Sequence, residues 1–301
     1  MIGAGHPPAV AASNRQEPHE QPARTVLITG TSSGIGLATA VAAAQAGWTT
    51  VATMRNLTKA DALRAAATAA GVELDIRELD VTSQAAIDRE IAYCSERYGR
   101  LDAVVNNAGS ATLGTVETLT VDDIRAAMEV NFFGVVALTR AALPLLRASG
   151  GRLITISSVG GVVGQPFNEA YCAAKFAVEG FLESLQPLAA SVGVGVHVIE
   201  PGPVSSEFVA NAGIDPKTML ADAGPYAPAL TAYLNRTTQQ FGSSNAQTPE
   251  EVAEVILSSL RDEGTPFRVQ TSDWARTFVG TKLKDLDGSQ VTGMTAGWVT
   301  A

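Results

Sequence analysis

A chain of 301 residues that is 46% hydrophobic can bury a sizeable core, in one large domain or two small ones. Its formal net charge of −9 comes without a basic run or basic–aromatic interleaving, which argues against nucleic acid as a partner. Two cysteines, Cys94 and Cys172, do not make a disulfide framework, and only one of three histidines, His197, lies beyond the first 20 residues, which disfavours a Ser-His-Asp triad or a His-rich metal site.

Residues 1–23 lack the apolar segment of a signal peptide, and their Pro, Ala and Gln content reads as a disordered tail. "TVLITG" (25–30) is a β-branched apolar run, as in a strand buried on both faces. Helix formers follow over 35–47, closing at Gly47, then a second strand over 48–54. A helix over 59–71, a strand over 74–81, an amphipathic helix over 83–99 and a strand over 101–109 continue the alternation. A long helical stretch (120–150) leads to a strand (151–158) and a Gly-rich loop to about 166. Then come a helix to about 190 and a strand over 193–202. The expected fold is α/β: a Rossmann-type, doubly wound parallel sheet with helices on both faces, in a single domain.

Residues 203–247 have the Pro and Gly of a loop-rich covering segment. "TPEEVAEVILSSLRDEG" (248–264) is a helix capped by Thr248, with Pro249 in its first turn and Glu251 three residues after the cap. The catalytic domain is expected over 24–265, and 266–301 reads as an irregular extension. No uninterrupted apolar run reaches the ~18 residues of a membrane span, and the chain reads as cytoplasmic.

"TGTSSGIG" sets Gly30, Gly34 and Gly36 at the junction of the first strand and helix. Glycines there permit a tight turn and close backbone approach to a pyrophosphate, which the helix N-terminus attracts. The alternative is a Gly-rich turn without a ligand. NAD enzymes usually place Asp or Glu at the end of the second strand; here Met54 takes that slot and Arg55 follows, which favours the 2′-phosphate of NADP(H) unless Arg55 is only a surface charge. Asp80 either accepts from an adenine amino group or caps the next helix.

With "NNAG" (106–109), Asn131 in "EVNFFG", Ser158, "YCAAK" (171–175) and "PGPVSSEF" (201–208), the chain resembles the short-chain dehydrogenase/reductases over roughly residues 24–265. The loop and helix from Ser157 to Leu185, with "ATMR" at 52–55, are similar to the 17β-hydroxysteroid dehydrogenase and retinol dehydrogenase branch, which uses NADP(H). The resemblance implies a catalytic tetrad of Asn131, Ser158, Tyr171 and Lys175. It implies cofactor contacts from Gly30, Ser32, Ser33, Gly34, Ile35, Gly36, Arg55, Asp80, Val81, Asn107, Ala108, Gly109, Tyr171, Lys175, Pro201, Gly202, Val204 and Ser206. Ser206 stands where the family often has Thr.

Carbonyl reduction needs a proton for the developing alkoxide. A free tyrosine, with a pKa of ~10, exchanges its proton poorly near neutrality. Spacing of four puts Tyr171 and Lys175 on one helical face, where the ammonium is expected to lower the tyrosine pKa. Asn131 would support a water chain to Lys175, and Ser157 should face away from Ser158. Cys172 reads as a packing residue. Pro187 is expected to kink or end the helix after Lys175.

The leading expectation is an NADP(H)-dependent oxidoreductase for an apolar ketone, aldehyde or alcohol, such as a steroid, retinoid or lipid. An apolar lid is expected from Phe208, Val209, Met219, Leu220, Tyr226, Leu230, Tyr233 and Phe241, unless these only pack the domain edge. The alternatives are a non-catalytic NADP-binding sensor or scaffold, or a reductase of small polar ketones or quinones. A homodimer or homotetramer is expected, with no metal.

Overall fold

The computed structural model describes residues 23–208, 215–241, 246–262, 264–282, 284–287 and 289. The expected tail lies outside them except for residue 23, as does Val209 of the expected lid. The apolar runs form strands β1 (Thr25–Thr29), β2 (Thr49–Met54), β3 (Asp75–Glu78), β4 (Ala103–Asn106), β5 (Arg152–Ile156), β6 (Gly195–Glu200) and β7 (Arg268–Gln270). They make one sheet in the order β3-β2-β1-β4-β5-β6-β7, every pair parallel. The order reverses between β1 and β4, so the loops leaving their C-terminal ends diverge and open a crevice.

Helices α1 (Gly34–Gln45), α2 (Asp61–Ala70), α3 (Gln84–Tyr98), α4 (Val121–Met128), α5 (Gly134–Ser149) and α6 (Glu169–Ala190) connect the strands. Beyond β6 follow α7 (Pro216–Asp222), α8 (Ala227–Phe241), α9 (Pro249–Arg261) and α10 (Asp273–Gly280). One core layer buries Leu27, Val104 and Leu153 of the sheet with Ile87, Leu138 and Leu182 of α3, α5 and α6. The opposite layer buries Val26, Ile28 and Ile154 with Ala40, Leu63 and Ile256 of α1, α2 and α9. Each such Val, Leu or Ile side chain contributes about 1.5–3 kcal/mol on burial. The helical run 121–149 is long and apolar enough, by length and composition, to cross a bilayer; here Val135, Leu138, Ala142 and Leu146 pack in the core.

Three expectations are corrected. The boundary at 265 falls inside the domain, because β7 extends the sheet and α10 packs beside the Gly-rich loop. β7 is three residues, "RVQ", whose buried polar ends Arg268 and Gln270 hide the apolar pattern of a strand. The covering segment is helical, since Asp215 caps α7 by accepting from Lys217 N and Thr218 N. Finally, of the kink or end expected at Pro187, the end is not met: α6 continues three residues past it. So near the end of the helix the proline forfeits a single bond to the carbonyl of residue 183. The capping box on α9 forms as expected, Thr248 with Glu251.

Candidate active site

The glycine loop is shaped by what a side chain would strike. Gly30 has φ +70°, and a Cβ there would lie 2.8 Å from Ala108 Cα. Gly34 has φ +56°. At Gly36 a Cβ would lie 2.3 Å from the Gly30 carbonyl, so α1 can approach the β1 loop only without one. Asn107 staples this loop: its Nδ2 donates to Thr29 O at 2.8 Å and Gly30 O at 3.0 Å. Thr29 Oγ1 in turn accepts from Asn107 N and Ala108 N. The Asn107 amide is thus spent on the protein, leaving Ala108 and Gly109 to offer backbone to the crevice. α1 starts with no side-chain capping bond and no acidic residue in its first turn. Its N–H groups and positive dipole end suit a pyrophosphate, so the residues fit a dinucleotide.

A cleft of about 1460 Å³ gathers Gly30, Ser32, Ser33, Gly34, Ile35, Gly36, Arg55, Asp80, Val81, Asn107, Ala108, Gly109, Ser158, Tyr171, Lys175, Pro201, Gly202, Val204 and Ser206. At its nucleotide end the cleft is lined by Met54, 2% exposed and packed in the core, and by Arg55, which is exposed. Sequence reasoning missed Lys59, exposed on the same rim; a second base four residues on in "MRNLTK" was the available signal. Asp80 Oδ1 accepts from Thr82 N and Oγ1, and the cap of α3 is Ser83 instead.

On the floor, Ser158 ends the β5 segment and its Oγ accepts from Gly160 N at 3.0 Å. Lys175 is 5% exposed; its Nζ donates to the Ile156 carbonyl at 2.8 Å and lies 5.8 Å from the Tyr171 ring centroid. Burial pulls Lys175 down to about 8, opposed by Glu179. Burial pushes the Tyr171 hydroxyl up to about 12, with the Ser158 hydrogen bond pulling the other way. The expected fall in the tyrosine pKa is therefore not met. Desolvation outweighs the Ser158 hydrogen bond, and the Lys175 ammonium is directed at the Ile156 carbonyl. Tyr171 stays protonated across neutral pH.

Asn131 does not line the cleft. It is fully buried in a π-helical turn, Glu129–Phe133, that joins α4 to α5. Its Nδ2 donates to Ser110 O and Ala127 O, and its Oδ1 accepts from Ser110 N. Its side chain thus anchors the loop after Gly109. Ser157 turns towards Glu179, away from Tyr171. Cys172 is buried.

The other half of the cleft is apolar. Phe208 sits edge-on to Tyr171 at 5.9 Å between ring centroids, and Tyr233 of α8 packs on Phe167 at 5.3 Å. Met219, Leu220, Tyr226 and Leu230 join a separate cluster around Phe167 and Ala223, supporting the cover rather than lining the cleft. The side chain of Phe241 lies outside the described residues. Trp274 and Phe278 of α10, stacked at 5.0 Å, also line the cleft and were missed. A Cβ on Gly202 would lie 2.8 Å from the Trp274 ring, so that glycine makes room for it.

A glycine cradle where a parallel sheet reverses its winding marks the dinucleotide-binding proteins of Rossmann type, and the polar floor adds a place for chemistry on a bound substrate. Residues 24–217 match the family profile of the short chain dehydrogenases. Human 17-beta-hydroxysteroid dehydrogenase type 1 is 39% identical over 285 residues, covering 90% of this chain and 85% of that protein. Human retinol dehydrogenase 8 is 38% identical over 282 residues, covering 88% and 86%. The structure of a short-chain dehydrogenase from Streptomyces avermitilis superposes with a TM-score of 0.73 at 32% identity, covering 94% of this chain and all of that one. The chain belongs to the short-chain dehydrogenase family, oxidoreductases that interconvert alcohols and carbonyls with a nicotinamide cofactor, and to its hydroxysteroid and retinol dehydrogenase branch.

Proposed function

We propose that the protein is an NADP(H)-dependent reductase of apolar ketones or aldehydes, with Tyr171 as the proton donor. The observation that carries this reading is the floor of the cleft. Ser158, Tyr171 and Lys175 meet there, between a glycine cradle and an aromatic wall. The bound dinucleotide would supply the hydride. Ser158 would hold the substrate oxygen, and Tyr171 would give it a proton. A hydroxyl held up at about 12 carries its proton at neutral pH, as a proton donor must. Lys175 would reach the ribose and the tyrosine together, and Asn131 would hold the loop that carries Gly109.

Arg55 and Lys59 support NADP(H) over NAD(H), as two cations on the nucleotide rim suit a 2′-phosphate. Phe208, Tyr233, Trp274 and Phe278 support an apolar substrate, with steroid-, retinoid- or lipid-like ketones as the class to screen. Exposed Phe133, Phe176 and Leu188 on the α5–α6 side support a homodimer, which light scattering would test. The functional test is NADPH oxidation against a panel of apolar and small polar ketones. Turnover with the apolar set is expected. Stoichiometric NADPH binding without turnover would favour the sensor or scaffold alternative.

A further inference from the structure

Behind the cleft floor lies a cluster of buried charges that this chemistry leaves unused. Arg268 of β7 donates from Nε to Glu179 Oε2 at 3.2 Å and from Nη2 to Glu183 Oε2 at 2.9 Å, and it lies 3.5 Å from Glu200 Oε1. Gln270 donates to the other oxygen of Glu200 at 2.9 Å. The side chains of Glu179, Glu200 and Arg268 are 5%, 0% and 8% exposed. Three carboxyl groups crowd one guanidinium: burial raises Glu179 and Glu200, while Arg268 favours the ionised form of Glu179, and among the described residues the other buried cation is Lys175, one turn before Glu179 on α6.

Glu179 Oε1 and the Ser157 hydroxyl are buried without a close hydrogen-bond partner, and they face each other across Gly161. A Cβ on Gly161 would lie 2.5 Å from Ser157 Oγ and 3.2 Å from Glu179 Oε1. The glycine is what leaves the pair room. Ser157 stands between Ile156, whose carbonyl takes the Lys175 ammonium, and Ser158, which meets Tyr171. Two successive turns of α6 therefore face two successive residues at the end of β5, Lys175 by a direct hydrogen bond and Glu179 across Gly161.

We propose that Glu179 is a positioning residue for the reaction. It keeps Lys175 charged and holds Ser157, so that Ile156 and Ser158 stay in register with Lys175 and Tyr171, and Arg268 anchors it from β7. This rests on the reading of Ser158, Tyr171 and Lys175 as the reacting floor. Among the described residues, the titratable groups facing Lys175 are Tyr171 and Glu179, both on α6. Those facing Glu179 are Lys175 and Glu183 on α6, Glu200 on β6 and Arg268 on β7. The sign follows from the geometry: removing the carboxylate charge makes the Lys175 ammonium easier to lose.

The test is Glu179→Gln, which keeps the shape and an oxygen able to accept from Arg268, so the fold should hold. NMR titration of isotope-labelled lysine side chains, with Lys175→Arg for assignment, is expected to show the Lys175 midpoint falling by about one unit. The alkaline limb of the kcat profile for ketone reduction should move the same way. Ser157→Ala touches no charge and should lower kcat by about tenfold with NADPH affinity unchanged. An unmoved Lys175 midpoint in Glu179→Gln, or full kcat in Ser157→Ala, overturns the proposal. A wild-type protein that reduces no carbonyl overturns the functional reading beneath it, and that result comes from a separate measurement.

Discussion

The two halves of the cleft are built by different means. The nucleotide half is made of backbone: Gly30 and Gly36 bring β1, α1 and β4 so close that a single Cβ would collide, and Asn107 and Thr29 lock the contact. The substrate half is made of side chains from four separate places, Phe167, Phe208, Tyr233 and Trp274. A backbone-built half depends on a few residues in one short motif. A half built from side chains can change its occupant residue by residue while the fold stays.

Tyr171 sits where the halves meet, and its loss should have the largest effect. Tyr171→Phe keeps the ring against Phe208 and should retain NADPH affinity while losing ~10²–10⁴-fold in single-turnover hydride transfer. Retention of more than about a tenth of the rate would remove Tyr171 as proton donor.

Gly36→Ala tests the nucleotide half. A methyl 2.3 Å from the Gly30 carbonyl must push α1 off the loop. NADPH affinity, read by calorimetry, should fall on the order of 10²-fold. Unchanged affinity would show that the cradle has slack.

Phe208→Ala tests the substrate half. This ring is 38% exposed, so stability should hold, while the KM for an apolar ketone rises ~10-fold and that for NADPH does not move. A matching rise in both constants would break the division into halves. Arg55→Ala should raise the KM for NADPH by up to ~10-fold and leave that for NADH unchanged. An enzyme that already prefers NADH would overturn the choice of cofactor.

The smallest effect concerns the support beneath both halves. Burial pushes Glu200 up to about 8 from 4.5. Between those values the unfolded chain has ionised Glu200 while the folded protein keeps its proton, so stability falls as pH rises through that window. Glu200→Gln cannot ionise and should flatten the fall, raising Tm at pH 8 by roughly 2–4 °C in thermal melts. Equal slopes for the two proteins would assign the pH dependence elsewhere.

The fold and the nucleotide half were legible along the chain because their constraints are local. A strand buried on both faces must be apolar, a helix reports its period, and a turn that admits no Cβ must be glycine. Tyr171 and Lys175 were legible for the same reason, as neighbours on one helical turn. Three things needed the tertiary structure. Met54 and Arg55 are adjacent in sequence, yet one lies in the core and the other on the rim, which only the packing of the layer over β2 decides. Arg268 can be buried in β7 because Glu179 and Glu183 accept from its guanidinium, partners 89 and 85 residues away in the chain. The pKa of Tyr171 is set by how deeply the floor is buried, and burial is a property of every segment that covers it.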